Sequence, residues 1–238
     1  MLRVLVTRPE PDAARTAKAL EAMGHRPILL PLSETRPLPV DAGALPARID
    51  AVAATSANAL RLAPPALVAR LAALACHAVG AKTAEAARAA GFAHVEEGPG
   101  DAEALAARVG PGLAGKSLAY LCGRVRLSRF EECLAATGVR VAAVETYDTV
   151  EIEPSSESVT ARLGGAGVGA VLLYSAKAAQ AAGRLAARPE LAPLLGPAQV
   201  LALSGRVAAA FGPGAGDRMR VAAAPTEKAL LELLRRPD

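Results

Sequence analysis

Val144-Glu145-Thr146-Tyr147-Asp148-Thr149-Val150-Glu151 is a polar, β-prone stretch in a chain that is 52% hydrophobic. It closes a segment, Leu118 to Thr149, that repeats the pattern of Val4 to Thr35. Each copy has an apolar run, an amphipathic run, a glycine turn and a second apolar run. The copies keep a constant offset of 114 positions, as between Gly24 and Gly138. A constant offset over about thirty residues indicates internal duplication.

Each copy ends in a polar, β-prone tail, and beyond this tail the sequence no longer follows the pattern of the repeat. We therefore expect Leu32–Leu38 and Val144–Glu151 to cross between two lobes. Alternation along a strand would place Tyr147 on the opposite face from Thr146 and Asp148.

Length and composition agree with two modest lobes. The chain has 238 residues, enough for one large or two small domains with real cores. Its net charge of +4 is mild and favours acidic partners without indicating a dedicated polyanion binder. With three Phe, three Tyr and no Trp, base stacking is disfavoured, and we expect no nucleic-acid partner.

The cysteines and the hydropathy indicate a cytoplasmic protein. Cys76, Cys122 and Cys133 are odd in number and form no Cys-x-x-Cys pair, so we expect buried thiols in a reducing compartment. Met1 leads at once into a strand-like run, which leaves no room for a signal peptide. No apolar run approaches the ~20 residues that span a bilayer, so no membrane contact is expected.

Short apolar strands alternate with helical patterns along the chain. Ala51–Ala54 and Val168–Leu173, for example, are apolar throughout and lead into helices. Asp101 and Thr226 are predicted helix N-caps, and Leu127, Phe130 and Leu134 share one face of a helix. Uniformly apolar strands separated by helices are typical of parallel sheets covered on both faces. The predicted fold class is α/β, with two doubly wound parallel-sheet lobes joined by a two-stranded hinge.

Two further repeats fall where a strand passes into a helix. Residues 52–59 resemble residues 171–178, and residues 78–84 more weakly resemble residues 202–208. Ligands bind at this edge of parallel sheets, and helix N-termini hold carboxylates or phosphates. Six such turns are marked by Thr7, Ser56, Gly80, Gly123, Ser175 and Gly205. The alternative for any one Ser or Thr is that it only caps a helix, which is the commoner role.

Several familiar sites are missing from the sequence. His25, His77 and His94 show no ligand spacing, so we expect no metal. The run Gly110–Gly115 matches Gly-x-Gly-x-x-Gly, but it precedes a strand instead of following one. We interpret it, like Gly164–Gly169, as a helix-to-strand loop, which disfavours a nucleotide-using enzyme.

Four motifs in order resemble the uroporphyrinogen-III synthase family over the whole chain. They are Val4-Leu5-Val6-Thr7-Arg8-Pro9, Thr55-Ser56-x-Asn58-Ala59, Val79-Gly80-x-x-Thr83-Ala84 and Tyr147-x-Thr149. The resemblance implies a cofactor-free lyase of tetrapyrrole (haem) biosynthesis. That enzyme closes linear hydroxymethylbilane to uroporphyrinogen III, losing water and inverting ring D.

The resemblance also implies a site. It points to Tyr147 as the side chain with a chemical role. The turns and the cations beside them would grip a substrate with eight carboxylates. The expected substrate-binding residues are Thr7, Arg8, Ser56, Asn58, Gly80, Lys82, Thr83, Gly123, Arg124, Ser175, Lys177, Gly205 and Arg206. Two residues depart from the family pattern, since Val207 stands where Thr is expected and Tyr174 replaces the usual Thr before Ser175.

By the same resemblance, residues 1–35 and 150–238 form a discontinuous first domain and residues 36–149 form the second. The two crossings would pair as a hinge, with the substrate between the lobes of a monomer. The repeat alone does not distinguish this from two tandem lobes. A two-lobed small-molecule binding protein for a polycarboxylate ligand remains the alternative function.

Overall fold

The computed structural model describes residues 1–41, 43, 45–126 and 128–235. Strands and helices alternate along these residues, as the apolar periodicity predicts. In chain order, the strands are β1 (Arg3–Val6), β2 (Arg26–Leu29), β3 (Ser33–Pro37), β4 (Ala51–Ala54), β5 (Ala75–Ala78), β6 (His94–Glu97), β7 (Ser117–Gly123), β8 (Arg140–Glu151), β9 (Ala170–Leu173), β10 (Gln199–Ala202) and β11 (Met219–Val221).

The helices cover the segments between these strands. They are α1 (Asp12–Ala22), α2 (Ala57–Arg61), α3 (Pro65–Leu71), α4 (Ala81–Ala90), α5 (Ala102–Val109), α6 (Arg129–Ala136), α7 (Ser156–Leu163), α8 (Ala176–Ala186), α9 (Ala192–Leu195), α10 (Gly205–Phe211) and α11 (Glu227–Glu232). The 3₁₀ segments Pro111–Leu113 and Pro213–Arg218 lie before β7 and β11.

The chain divides into two compact units. Unit 1 contains Met1–Glu34 and Val150–Asp238, and unit 2 contains Thr35–Thr149. A five-stranded sheet has the order β11-β10-β9-β1-β2, and a six-stranded sheet has the order β3-β8-β7-β4-β5-β6. Within the first sheet every neighbouring pair is parallel, and so is every pair from β8 to β6 in the second.

The two sheets share one strand order. From one edge, the first sheet runs β2, β1, β9, β10, β11, and the second runs β8, β7, β4, β5, β6 beside its edge strand β3. In both sheets, the strand before the glycine turn (Gly24 or Gly138) lies beside the strand that follows it. The remaining three strands, β9 to β11 in the first sheet and β4 to β6 in the second, come from another segment of the chain.

The uniformly apolar strands have cores on both faces. In β1, Val4 and Val6 pack into one apolar cluster, whereas Leu5 packs into another on the opposite face. In β4, Val52 and Ala54 pack into one apolar cluster, and Ala51 and Ala53 pack into another on the opposite face. Period-two alternation therefore assigns every apolar residue of β1 and β4 to one core or the other.

β3 and β8 carry the chain from one unit to the other. They are neighbours in the six-stranded sheet. The Leu38 amide donates to the Thr146 carbonyl at 2.9 Å, and the Ile152 amide donates to the Leu32 carbonyl at 3.0 Å. Residue numbers thus rise along one segment as they fall along the other, which is antiparallel pairing.

Most predicted boundaries hold to within a few residues. Asp101 and Thr226 cap α5 and α11 through their side chains. Gly110–Gly115 and Gly164–Gly169 both lie between a helix and a strand, as expected. Phe130 and Leu134 are buried on α6, whereas Leu127 lies outside the described residues.

The thiols are only partly as predicted. Cys76 and Cys122 are buried, and burial raises their pKa values to about 12 and about 11. Cys133 is half-exposed, which corrects the expectation that all three are buried. None of the described helices is long and apolar enough to cross a membrane.

Candidate active site

Three predicted site residues meet where β4 and β7 end beside the longer strand β8. The Tyr147 hydroxyl donates to Ser56 Oγ at 3.1 Å. Parallel pairing places Gly123 beside Tyr147. A Cβ atom on Gly123 would lie 2.7 Å from Tyr147 Cζ and 2.9 Å from its hydroxyl oxygen. The ring therefore rests against the glycine backbone, in space that a side chain at position 123 would fill.

A bulge in β8 aims Tyr147 at this point. Cys122 pairs with Glu145 but Gly123 pairs with Tyr147, so the register skips Thr146. The buried Thr146 hydroxyl donates to the Ala59 carbonyl at 2.8 Å. Tyr147 thus reaches the residue that caps α2, and Thr146 reaches the first turn of α2 itself. Strict alternation of these two residues, as predicted, is wrong here because a bulge re-aims the side chains beside it.

Ser56 is placed by the helix that it caps. Its backbone is extended (φ −146°, ψ 134°), and its Oγ accepts the Asn58 amide proton at 3.2 Å. Asn58 Oδ1 in turn accepts from Arg61 Nη1 at 3.4 Å. Ser56 therefore has the N-cap role that was the alternative, together with the contact to Tyr147.

The Gly80 turn, at the end of β5, is built from close backbone contacts. The Gly100 amide donates to the Val79 carbonyl at 2.6 Å. A Cβ atom on Gly98 would lie 2.5 Å from the Ala78 carbonyl oxygen, and one on Gly80 would lie 3.3 Å from Gly100 Cα. Gly98 and Gly100 were missed by the sequence analysis. Their signal was the Gly-Pro-Gly run after β6.

Helix α4 starts from this turn. Gly80 is its N-cap and has no side chain to cap it, so Thr83 is not the cap. Thr83 is 5% exposed, and its hydroxyl has no hydrogen bond to any described residue. Lys82 is exposed and forms no ion pair with the described residues.

Gly123 and Arg124 do not form the helix start that was predicted. The Arg124 amide donates to the Tyr147 carbonyl at 2.8 Å, and α6 begins only at Arg129. The Arg124 side chain bonds Glu145 Oε2 at 3.2 Å and lies 3.5 Å from Asp148 Oδ2. Two carboxylates of β8, the strand beside β7, therefore hold the Arg124 guanidinium.

Arg126, which was not predicted, completes this network. It contacts Glu131 and Glu145, each at 3.0 Å. The hydrogen bond from Arg126 is the main cause that holds the pKa of Glu145 below its usual value. Burial opposes this shift, and a hydrogen bond from Arg124 adds to it. The loop between β7 and α6 is therefore fastened to β8 beside Tyr147.

Thr7, at the end of β1 in unit 1, has a structural role. Its side chain is fully buried, and its hydroxyl donates to the Leu172 carbonyl at 2.7 Å. Helix α1 begins at Asp12, so Thr7 does not stand at a helix N-terminus either. The hydroxyl proton of Thr7 therefore ties β1 to β9.

Arg8 is also engaged within unit 1. Its guanidinium contacts Asp12 at 2.7 Å and Glu227 at 3.0 Å, and it lies over the Tyr174 ring at 4.1 Å. Glu227 Oε1 also accepts the hydroxyls of Thr16 at 2.5 Å and Tyr174 at 3.2 Å. Tyr174, the departure noted in the sequence, is thus part of a polar cluster that closes around Arg8.

The charges of this cluster shift two pKa values. Burial raises the pKa of Tyr174 to about 12. Burial alone would raise the pKa of Glu227, but the Thr16 hydroxyl and the charges of Arg8 and Arg15 outweigh it and leave the pKa below its usual value. Glu227 is therefore a carboxylate at neutral pH, which neutralises Arg8. No local pattern could have indicated a partner 219 residues away.

The last two turns are regular helix starts. Ser175 caps α8 by accepting the Ala178 amide at 3.2 Å, and Lys177 lies in the first turn. Ser204, not Gly205, caps α10 by accepting the Val207 amide at 3.4 Å. The exposed Arg206 has no ion-pair partner among the described residues.

Metal ligands do not converge in the described part of the chain. No group of three or more His, Cys, Asp or Glu residues there is arranged to hold an ion.

Comparison with solved structures shows a shared fold. The uroporphyrinogen-III synthetase of Helicobacter pylori superposes with a TM-score of 0.67 at 17% identity, covering 98% of each chain. A mutant uroporphyrinogen III synthase of Thermus thermophilus superposes with a TM-score of 0.54 at 24% identity, covering 98% of this chain and 96% of that one. No curated protein sequence gives a significant match.

The family model is more specific. Residues 14–232 match the model described as uroporphyrinogen-III synthase HemD. This match spans most of the chain and includes the Ser56, Gly123 and Tyr147 group as well as the Gly80 turn. The chain therefore belongs to the uroporphyrinogen-III synthase family.

Proposed function

We propose that this protein is a cofactor-free lyase that closes linear hydroxymethylbilane to uroporphyrinogen III in tetrapyrrole biosynthesis. The observation that carries the proposal is the family match over residues 14–232. The contact between Tyr147 and Ser56 supports it, because it places two hydroxyls at the ligand-binding edge of a parallel sheet.

The reaction needs little acid or base from the protein. A hydroxymethylpyrrole loses hydroxide with help from its own ring nitrogen. The harder task is conformational, since ring D must be attacked at its substituted carbon, through a spiro intermediate, before spontaneous closure gives the type I isomer. A site of hydroxyls and amides that positions the substrate suits this task.

We propose that helix starts and nearby cations hold the carboxylates. The first amides of a helix have no partner within it, and they attract anions. The starts of α4, α8 and α10 present such amides, and Lys82, Lys177 and Arg206 stand beside them. Thr83 adds a hydroxyl with no partner among the described residues.

Three predicted contacts are assigned a supporting role. Thr7 joins two strands, Arg8 joins β1 to α11, and Arg124 fastens the β7 loop. These side chains already have partners within the protein, so a substrate carboxylate would have to displace them. We propose that they shape the site without binding the substrate.

We further propose two domains, residues 1–35 with 150–238 and residues 36–149, that arose by duplication, with β3 and β8 as the hinge. The common strand order of the two sheets supports this. We predict that β3 and β8 act as a hinge. We also predict that the protein acts as a monomer in the cytoplasm, without nucleic-acid or membrane partners.

Isomer analysis tests the function. Freshly made hydroxymethylbilane is incubated with the protein and a metal chelator, and the oxidised porphyrins are separated by isomer. The proposal predicts mainly type III product. Tight binding of hydroxymethylbilane with only type I product, at the rate of a blank, would instead indicate the two-lobed binding protein.

A further inference from the structure

The hydrogen bonds at Ser56 account for all but one of its bonding positions. A serine hydroxyl has two lone pairs and one proton. One lone pair accepts the Asn58 amide at 3.2 Å, and the other accepts the Tyr147 hydroxyl at 3.1 Å. The proton of Ser56 itself has no acceptor among the described residues, and the side chain is half-buried.

The Tyr147 hydroxyl has the opposite hydrogen-bonding state, because its proton is in use and its lone pairs are not. Its proton is directed to Ser56, so its oxygen offers only lone pairs to a ligand. Its ring is fixed against Gly123, which keeps this hydroxyl at Ser56. A departing hydroxyl needs a hydrogen-bond donor, and in this pair the donor that remains is Ser56.

We infer that Ser56, and not Tyr147, donates directly to the departing hydroxyl of the substrate, and that Tyr147 acts through Ser56. This inference rests on the proposed function. It depends on the two side-chain hydroxyls and not on an anion site at α2, a helix of only five residues.

The proton transfers balance over the cycle. As the C–O bond of the hydroxymethyl group breaks, its electron pair stays on oxygen, and that oxygen takes the Ser56 proton and leaves as water. Ser56 takes the Tyr147 proton. The substituted carbon of ring D carries no proton, so in the spiro intermediate its bond to the bridge carbon from ring C breaks, and that bridge carbon bonds to the unsubstituted α-carbon of ring D. This α-carbon then loses its proton, which restores the Tyr147 hydroxyl.

The test compares kcat for type III formation in four variants. Ser56→Ala removes the direct donor and should lower kcat about 10- to 100-fold. Tyr147→Phe should lower it by less, because Ser56 keeps its own proton. The double variant should be no slower than Ser56→Ala, since both changes interrupt one path. Ser56→Thr keeps a hydroxyl in an extended backbone that accepts a β-branched residue, and it should retain most of the wild-type kcat.

Loss of a helix cap is controlled by Ser155→Ala. Ser155 caps α7 by accepting the Ser158 amide at 3.2 Å, which is the distance found at Ser56, and it has no tyrosine partner in the described residues. This variant should lose thermal stability without losing kcat. The solvent deuterium isotope effect on kcat should also shrink in Ser56→Ala, because two protons move in the wild-type step; a purely structural serine would leave it unchanged.

Three results would overturn the inference. These are wild-type kcat in folded Ser56→Ala while Tyr147→Phe is slow, additive losses in the double variant, or Ser56→Thr as slow as Ser56→Ala. Wild-type protein that gives only type I product at the blank rate would overturn the proposed function itself, which is a distinguishable outcome.

Discussion

The Tyr147 ring leaves no room for a side chain at position 123. We predict that Gly123→Ala displaces the ring, because the new Cβ would lie 2.7 Å from Tyr147 Cζ. The end of a flexible side chain moves easily, so the free energy of unfolding should fall by less than about 1 kcal/mol relative to the wild type. Over the same change, kcat should fall about 10-fold. Thermal midpoint and kcat, measured on one preparation, separate the two effects.

Gly112→Ala is the matched control for this variant. An added Cβ at Gly112 meets nothing within 4 Å, and it lies in the same unit. Its kcat should equal that of the wild type. A Gly123→Ala protein with unchanged kcat would show that the position of the Tyr147 ring is immaterial to the reaction.

Thr83 is 5% exposed, and its hydroxyl has no hydrogen-bond partner in the described residues. Thr83→Val keeps the shape and removes the hydroxyl, so the thermal midpoint should stay the same or rise. If this hydroxyl binds a substrate carboxylate, type III formation should fall about 10-fold, the effect of losing ~1.5 kcal/mol. In Thr83→Ala, the specific activity for type III formation should fall by more than the change in the thermal midpoint accounts for. Unchanged kcat/KM in Thr83→Val would assign Thr83 to packing alone.

The sequence predicted the positions of these residues better than their partners. Ser56 and Ser175 follow apolar strands, so their place at the sheet edge could be predicted. The partner of Arg8 could not, because Glu227 comes from the last helix. The bulge at Thr146 was also unpredictable, since it depends on pairing between β7 and β8.

Helix α11 is joined to the β1–α1 region through Glu227. In Glu227→Gln the carboxylate loses its charge, and Arg8 and Arg15 lose one partner each. We predict a loss of about 1–2 kcal/mol in the free energy of unfolding at pH 7. The side chain is 27% exposed, which keeps the expected loss small.

The pH dependence has a definite sign. The folded-state pKa of Glu227 is below its usual 4.5, so the carboxylate stabilises the fold fully above that value. The stability difference between wild type and Glu227→Gln should therefore be constant from pH 6 to 8 and should shrink as the pH falls below 4.5 and through the lowered pKa of the folded state. Thermal melts of both proteins across this range measure it. A difference that does not shrink at any pH below 4.5 would contradict this role of the charge.

Elements with long apolar or capped patterns were predicted well, and short ones were not. The strands β4 and β9 and the caps of α5 and α11 follow from local patterns. Helix α9, four residues long, carries no periodic signal. The late start of α6 follows from the loop fastened by Arg126, which is a tertiary interaction.

For the whole molecule, the repeat in the sequence indicated two similar parallel-sheet lobes but not the order of all their strands. Five strands in each sheet have one order, although only the first two of each set belong to the clear repeat. The remaining three were indicated by short resemblances, such as residues 52–59 with 171–178. Their hydrogen-bonded neighbours are distant in sequence, so their order became clear only in the structure.

We propose that this chain directs closure of hydroxymethylbilane to one isomer. Spontaneous closure to type I competes with the enzyme, so the isomer ratio depends on how much enzyme is present. The most direct measurement is the ratio of type III to type I product at a fixed amount of hydroxymethylbilane and increasing protein. We predict a ratio that rises with protein until type III is nearly the sole product. A ratio that stays at the value of the protein-free blank at every concentration would contradict the claim.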